Sequence, residues 1–270
     1  MKSCYTISML FNKINSPVLV FTDLDGTLLD HNTYSFDPAL EMLDFLKENA
    51  IALIIVTSKT KSEVIELQKA LGITAPFIVE NGAGIFLPQE EGYEMIPLGK
   101  LYNETRNAFL SYAKDVSMRG FADMPVEEIA IRTTLSLEDA RRASQRDFSE
   151  PFILENEHEL AKLKKMAQKD GFDIVKGGRF YHLITQGQDK AAAIRKVIDL
   201  YNDQYETTFT SIALGDSEND LTMLQNVDVP VLIPHPDGSY TPFTTPNLIK
   251  APYPGPKGWN ESLKRYFNVQ

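Results

Sequence analysis

The sequence predicts an α/β fold, a Rossmann-like parallel-sheet core into which a smaller α+β module is inserted. Three observations carry this. Four short apolar runs, at residues 18–21, 51–56, 77–79 and 212–214, are hydrophobic on both alternating faces, the pattern of strands covered by helices on either side. Amphipathic helical stretches separate them, so strand and helix alternate as in βαβ units. From about residue 87 to 187 the pattern changes to turns rich in Gly and Pro, amphipathic helices and isolated strand pieces, which marks a separate module. The expected division is a core of residues 1–87 and 188–270 with an insert of residues 88–187.

In chain order, residues 18–21 form the first strand. Residues 38–49, with Leu40, Leu43 and Leu46 at helical spacing, predict a helix that leads to the strand at 51–56. Residues 62–71 follow with Val64, Leu67 and Leu71 apolar, and Gly72 closes that helix. The third strand is 77–79. The insert predicts helices over 100–117, 136–148 and 157–170 and strands at 152–155, 172–176 and 180–184. A helix over 189–205, carrying Ala192, Ile194, Val197, Ile198 and Tyr201, precedes the strand at 212–214. Another begins after Ser217, a natural N-cap, and residues 229–233 add a fifth strand. Trp259 and the proline-rich stretch 252–256 read as a C-terminal segment laid on the core.

Across 270 residues, 27 Lys and Arg against 37 Asp and Glu give a net charge of −10. That argues against general affinity for nucleic acid or anionic membranes, while a small anion can still bind locally. One cysteine, Cys4, excludes an internal disulfide framework and a cysteine-cluster metal site. Residues 1–16 lack the hydrophobic length of a signal peptide, and no run of eighteen apolar residues occurs. A cytoplasmic protein is expected, and Met9 is a plausible alternative start.

The ligand-binding end of an open α/β sheet is the carboxyl end of its strands, and each strand here stops at reactive residues. The first runs into Thr22-Asp23-Leu24-Asp25-Gly26-Thr27, the second into Thr57-Ser58-Lys59, the third into Glu80-Asn81-Gly82, and the fourth into Gly215-Asp216-Ser217-Glu218-Asn219-Asp220. Side chains alternate along an extended chain, so Asp23 and Asp25 point to one side, and Gly26 lets the chain turn at once. Close carboxylates repel and need a shared proton or a cation. Asp23 with Asp216 makes a hard oxygen site of the kind magnesium prefers, completed by backbone carbonyl and water. Asp25, Asn219 and Asp220 are the other candidate ligands.

A cation-neutralised carboxylate facing a phosphate points to nucleophilic catalysis. Asp23 is the expected nucleophile, forming an aspartyl-phosphate, and Asp25 the acid that protonates the leaving oxygen and later takes a proton from water. Fixed donors should surround the transferring group. Thr57, or failing that Ser58, offers them at the second strand end, and Lys190 brings positive charge at a helix start. Lys59 and Asn81 are candidate substrate contacts. Of the nine arginines, seven fall in the insert: Arg106, Arg119, Arg132, Arg141, Arg142, Arg146 and Arg179. Most belong to solvated helix faces, yet guanidinium suits carboxylate and phosphate, and Arg119 and Arg179 are the candidate substrate contacts.

Other signatures fail. Gly82-Ala83-Gly84 has Leu87 where a dinucleotide fingerprint needs glycine, and no Walker A string occurs. His158-Glu159 is followed by Lys162 where a zinc protease needs a second histidine. His182 reads as packing or insert-lining.

These motifs resemble those of the haloacid dehalogenase-like phosphatase superfamily: Asp23 and Asp25 match its first motif, Thr57 the second, Lys190 the third, and Asp216 with Asp220 the fourth. The insert resembles its type-two cap, preceded by the Glu80-Asn81-Gly82-Ala83 turn. Within the cap, the stretches 119–128, 140–152 and 177–182, and Thr57-Ser58-Lys59-Thr60 before it, resemble the mannosyl-3-phosphoglycerate phosphatase family. The resemblance implies a magnesium-dependent phosphomonoesterase acting on a small anionic sugar phosphate and yielding mannosylglycerate, a compatible solute. Alternatives are a phosphatase for sucrose-phosphate or a hexose-phosphate, a phosphomutase, and a non-catalytic binding protein on the same scaffold.

Overall fold

The computed structural model describes residues 17–176 and 180–269, so Cys4, Met9 and Arg179 lie outside the described residues. The chain runs β1 (Val18–Thr22), α1 (Leu40–Glu48), β2 (Ala52–Val56), α2 (Lys61–Leu71), β3 (Phe77–Val79), β4 (Gly84–Pro88) and β5 (Tyr93–Pro97). It continues through α3 (Tyr102–Tyr112), β6 (Met118–Gly120), α4 (Val126–Thr133), α5 (Leu137–Ala143), β7 (Glu150–Leu154), α6 (Leu160–Lys169), β8 (Phe172–Lys176) and β9 (Tyr181–Thr185). Last come α7 (Lys190–Tyr205), β10 (Thr210–Gly215), α8 (Leu221–Leu224), β11 (Val229–Leu232), β12 (Ile249–Lys250) and α9 (Gly255–Phe267).

The described residues form two compact units, one of residues 17–57, 71–78 and 189–269 and the other of residues 58–70, 79–176 and 180–188. The first holds a parallel sheet in the order β12-β11-β10-β1-β2-β3. β1 lies between β10 and β2, with Val20 opposite Ile212 on one side and Leu53 on the other. All five residues of β1 are buried, as its double-sided apolar pattern requires. The central position matters for the site, because β1 and β10 end side by side.

α7 begins where the Asp189 side chain accepts a hydrogen bond from Ala192 N at 2.8 Å, an N-cap that places Lys190 at the first helical position. The C-terminal segment with Trp259 and the proline-rich stretch 252–256, which carries no helical assignment from the sequence, contains the helix α9. Proline is tolerated in the first turn, where its missing N–H has no intrahelical partner to lose, and Pro256 sits there. Trp259 of α9 is fully buried.

The second unit contains the antiparallel hairpin β4–β5 and a four-stranded antiparallel sheet in the order β6-β7-β9-β8. Phe109, Phe152, Leu163, Phe172 and Leu183 form its main core, and Phe121, Met124, Ile129 and Ala140 a smaller one. The helix expected over 136–148 stops at Ala143. The residues that follow instead send backbone N–H groups at Asp147 and Ser149 to the Glu80 carboxylate, an attraction between distant segments that helical periodicity does not reveal. The hairpin, β6 and α4 were likewise not separated from the surrounding turns by pattern alone.

Candidate active site

At the end of β1 the ladder continues one residue further, Asp23 N donating to Leu214 O of β10 at 2.9 Å. The chain then turns through Gly26, whose φ of +83° favours glycine. A Cβ there would stand 2.7 Å from Asp216 Oδ2, so glycine also lets this turn approach the acidic residue of the neighbouring strand. Thr27 Oγ1 completes the approach by donating to Asp216 Oδ1 at 3.0 Å. Behind the turn, Trp259 Nε1 donates to Thr22 Oγ1 at 3.1 Å, and Thr22 Oγ1 donates to Asp23 O at 2.7 Å.

At the end of β10 the chain folds back over Gly215, where a Cβ would lie 2.5 Å from that of Asp220. Asp220 Oδ2 accepts from Asp216 N at 3.1 Å, Ser217 N at 3.0 Å and Ser217 Oγ at 3.1 Å. Its other oxygen accepts from Lys190 Nζ at 2.6 Å. Lys190 Nζ also donates to Asp23 Oδ1 at 2.6 Å and to Val56 O at 3.0 Å. One ammonium group thus meets the ends of β1, β2 and β10.

Asp23, Asp216 and Asp220 are buried, and each offers an oxygen within 4.8 Å of those of the other two. With all three ionised, three carboxylates and one ammonium would leave two uncompensated negative charges. Burial, together with the Asp220 charge, pushes Asp216 up to about 7 despite the Thr27 hydrogen bond. Asp23 is raised well above the ordinary carboxylate range by burial and by Asp220, with Lys190 acting in the opposite direction. Burial opposes the Lys190 charge, but Asp220 and Asp23 lift its pKa above the usual lysine range, so it stays cationic. Lys190 and Thr27 bond Oδ1 of Asp23 and Asp216 respectively, and His235 Nδ1 lies 3.9 Å from Asp216 Oδ2. Hard oxygen donors, spare lone pairs and a residual double negative charge fit a divalent metal ion.

The other predicted residues divide between the units. Thr57 is buried and its N–H donates to Ile78 O at 3.0 Å, next to the Val56 carbonyl that holds Lys190. Asp25 is half-buried in the β1 turn. Asn219 is exposed and accepts from Ser217 Oγ at 2.6 Å. In the second unit, Ser58, Lys59 and Asn81 gather around Glu80: Glu80 N donates to Lys59 O at 3.1 Å. Arg119 lies in β6, with its guanidinium on both oxygens of Glu128 at 3.2 and 2.8 Å. His182 sits in β9, where burial and the Arg146 charge push it down to about 3 and keep it neutral.

Sequence reading passed over Thr27, Thr241 and His235. Thr241 Oγ1 donates to Asp216 O at 2.7 Å, and His235 Nε2 lies 3.1 Å from the same hydroxyl. Thr27 was legible as the fifth residue of its motif. His235 and Thr241 lie in a long loop after β11 and carry no spacing signal.

Comparison with known proteins places this arrangement among relatives. A profile described as haloacid dehalogenase-like hydrolase matches residues 20–234. The chain is 49% identical, over 93% of its length and 97% of the relative's, to a glucosyl-3-phosphoglycerate/mannosyl-3-phosphoglycerate phosphatase of Persephonella marina. It is 39% identical, over 91% of its length and 95% of the relative's, to a protein of the same name from Methanococcoides burtonii. Among solved structures, a phosphatase of the haloalkanoate enzyme superfamily from Bacteroides thetaiotaomicron superposes with a TM-score of 0.68 at 17% identity, covering 96% of this chain and 98% of that one.

Proposed function

The chain belongs to the haloacid dehalogenase-like hydrolase family, and from that premise we infer that it is a phosphomonoesterase removing phosphate from 2-O-mannosyl-3-phosphoglycerate, with the glucosyl analogue as a second substrate. The observation that carries the chemistry is the meeting of Asp23, Asp216 and Asp220 around Lys190. The substrate follows from the two relatives, both named for the glucosyl and the mannosyl compound.

In this reading Asp23 attacks phosphorus as the ester bond to the glycerate oxygen breaks, forming an aspartyl-phosphate. Asp25 gives its proton to the departing oxygen and then takes one from the water that hydrolyses the intermediate. Lys190 favours the ionised form of the Asp23 carboxylate and fixes it in place, and Thr57 or Ser58 donates to the phosphoryl oxygens. Magnesium, held by Asp23 and Asp216 with Asp25, Asn219 and Asp220 around them, would neutralise carboxylate and phosphate together. Residues 88–187 act as the substrate-specificity module, in which Arg119 and Arg179, with Lys59 and Asn81 nearby in sequence to the strand ends, recognise the substrate's carboxylate and phosphate. A net charge of −10 is consistent with a small-molecule substrate rather than nucleic acid or membrane, and the setting is the cytoplasm.

The test is phosphate release from mannosyl-3-phosphoglycerate, with and without magnesium, beside glucosyl-3-phosphoglycerate, sucrose-phosphate and hexose phosphates. Release that is fastest on the two glycerate esters and needs the metal is expected, and Asp23→Asn should leave none. A preference for simple hexose phosphates, or turnover by Asp23→Asn, overturns the substrate or the covalent step respectively.

A further inference from the structure

We propose that the buried Glu80–Arg146 pair is a positioning clamp that sets the Ser58–Lys59 loop for the phosphate end of the substrate. The clamp deepens the function just described and depends on it for the role of Ser58.

Glu80 and Asn81 have φ of +49° and +59°. Two successive non-glycine residues in the left-handed region persist only where their surroundings hold them. The surroundings are all within one unit. Glu80 N donates to Lys59 O at 3.1 Å, and Glu80 O accepts from Gln188 Nε2 at 2.6 Å. The carboxylate is wholly buried and accepts from Asp147 N at 2.7 Å, Ser149 N at 2.7 Å and Ser149 Oγ at 2.6 Å. Arg146 Nε lies 3.3 Å from the same carboxylate.

The Arg146 guanidinium then reaches onward. Its Nη2 donates to Ser58 O at 3.3 Å and to Ser149 Oγ at 2.8 Å. Two further bonds fasten the same stretches together, Thr60 Oγ1 to Arg142 O at 2.9 Å and Ser62 Oγ to Gln145 Oε1 at 2.6 Å. The guanidinium thus faces the carboxylate as an ion pair, without a hydrogen bond from Nε, while its Nη2 bonds the Ser58 carbonyl, a spread of contacts that a lysine ammonium makes less well. Buried ion pairs are a weak source of net stability because both charges lose water. This one instead joins the turn that carries Asn81 to the loop that carries Ser58. A displacement of the Ser58 carbonyl moves the donors that follow Thr57, and catalytic alignment is sensitive to shifts of about 1 Å.

Full-length Arg146→Met, Arg146→Lys and Glu80→Gln test the clamp, through backbone hydrogen exchange, thermal melting, steady-state kinetics and inhibition by inorganic phosphate. Arg146→Met should exchange faster at residues 57–60 and 80–82. It should raise both KM and the phosphate inhibition constant about tenfold while kcat changes less, and Arg146→Lys should recover part of that loss. Unchanged exchange at 57–60 overturns the clamp. A lower melting temperature with KM and phosphate inhibition untouched also overturns it, since the pair is then merely structural. Should Arg146→Met fail to fold, Glu80→Gln and Arg146→Lys give the same readings. If the wild-type protein releases phosphate from no ester, the function proposed above falls by itself, and exchange at 57–60 alone decides the clamp.

Discussion

Lys190 Nζ stands 2.6 Å from Asp23 Oδ1, and its side chain is wholly buried. The same nitrogen holds Asp220 at 2.6 Å, so two carboxylates share a single cation at the carboxyl ends of the parallel strands. Removing one partner of a buried ion pair leaves uncompensated charge, at a cost of about 3–5 kcal/mol. Lys190→Met should therefore lower stability by roughly that amount in urea unfolding, and activity by about 100-fold or more as Asp23, the proposed nucleophile, loses its anchor. A variant as stable and active as the wild type would show that the ammonium is dispensable.

The response to magnesium should depend on pH. Asp216 is raised to about 7, chiefly by burial, and Asp23 is raised as well. An acid whose folded pKa exceeds its unfolded value binds more protons in the folded state. Without metal, stability is therefore lost as pH climbs from about 4 through about 7. Magnesium selects the ionised carboxylates. Its stabilisation, measured as the rise in melting temperature at fixed concentration, should be small at pH 5 and grow through pH 7 to 8. An equal rise at pH 5 and pH 8 would contradict the assignment of these carboxylates to the metal.

Gly84 packs against Phe148. A Cβ at Gly84 would lie 2.4 Å from two ring carbons of that fully buried phenylalanine. Gly84→Ala must displace the ring, and overpacking of this kind costs about 1–3 kcal/mol. Since Phe148 lies between Asp147 and Ser149, which both bond the Glu80 carboxylate, a lower melting temperature should come with faster exchange at residues 80–82. A melting curve indistinguishable from the wild type would show that the ring moves aside freely.

Trp259→Phe removes the Nε1 donor to Thr22 Oγ1 and part of a fully buried side chain. A lost buried hydrogen bond and some packing predict about 1–3 kcal/mol of destabilisation. Metal-dependent stabilisation should survive, because Thr22 still donates to Asp23 O. Loss of the magnesium response in a folded variant would mean that Trp259 governs the site more directly.

By itself the sequence determined the alternation of buried strands and helices, the identity of Asp23, Asp25, Thr57, Asp216 and Asp220 as polar residues at and after the strand ends, and that of Lys190 at a helix start. Both signals are local: hydrophobic period and turn chemistry act over a few residues. Only the tertiary structure decided that Lys190, which pattern alone could equally have left in solvent, is buried against Asp23 and Asp220. The same holds for the αL turn at Glu80, held by residues 146–149 more than sixty positions away, and for Thr241 on the Asp216 carbonyl. Such contacts arise where burial strips charged and polar groups of water and makes them seek partners wherever the fold brings them. Nothing in the local pattern of a chain records that demand.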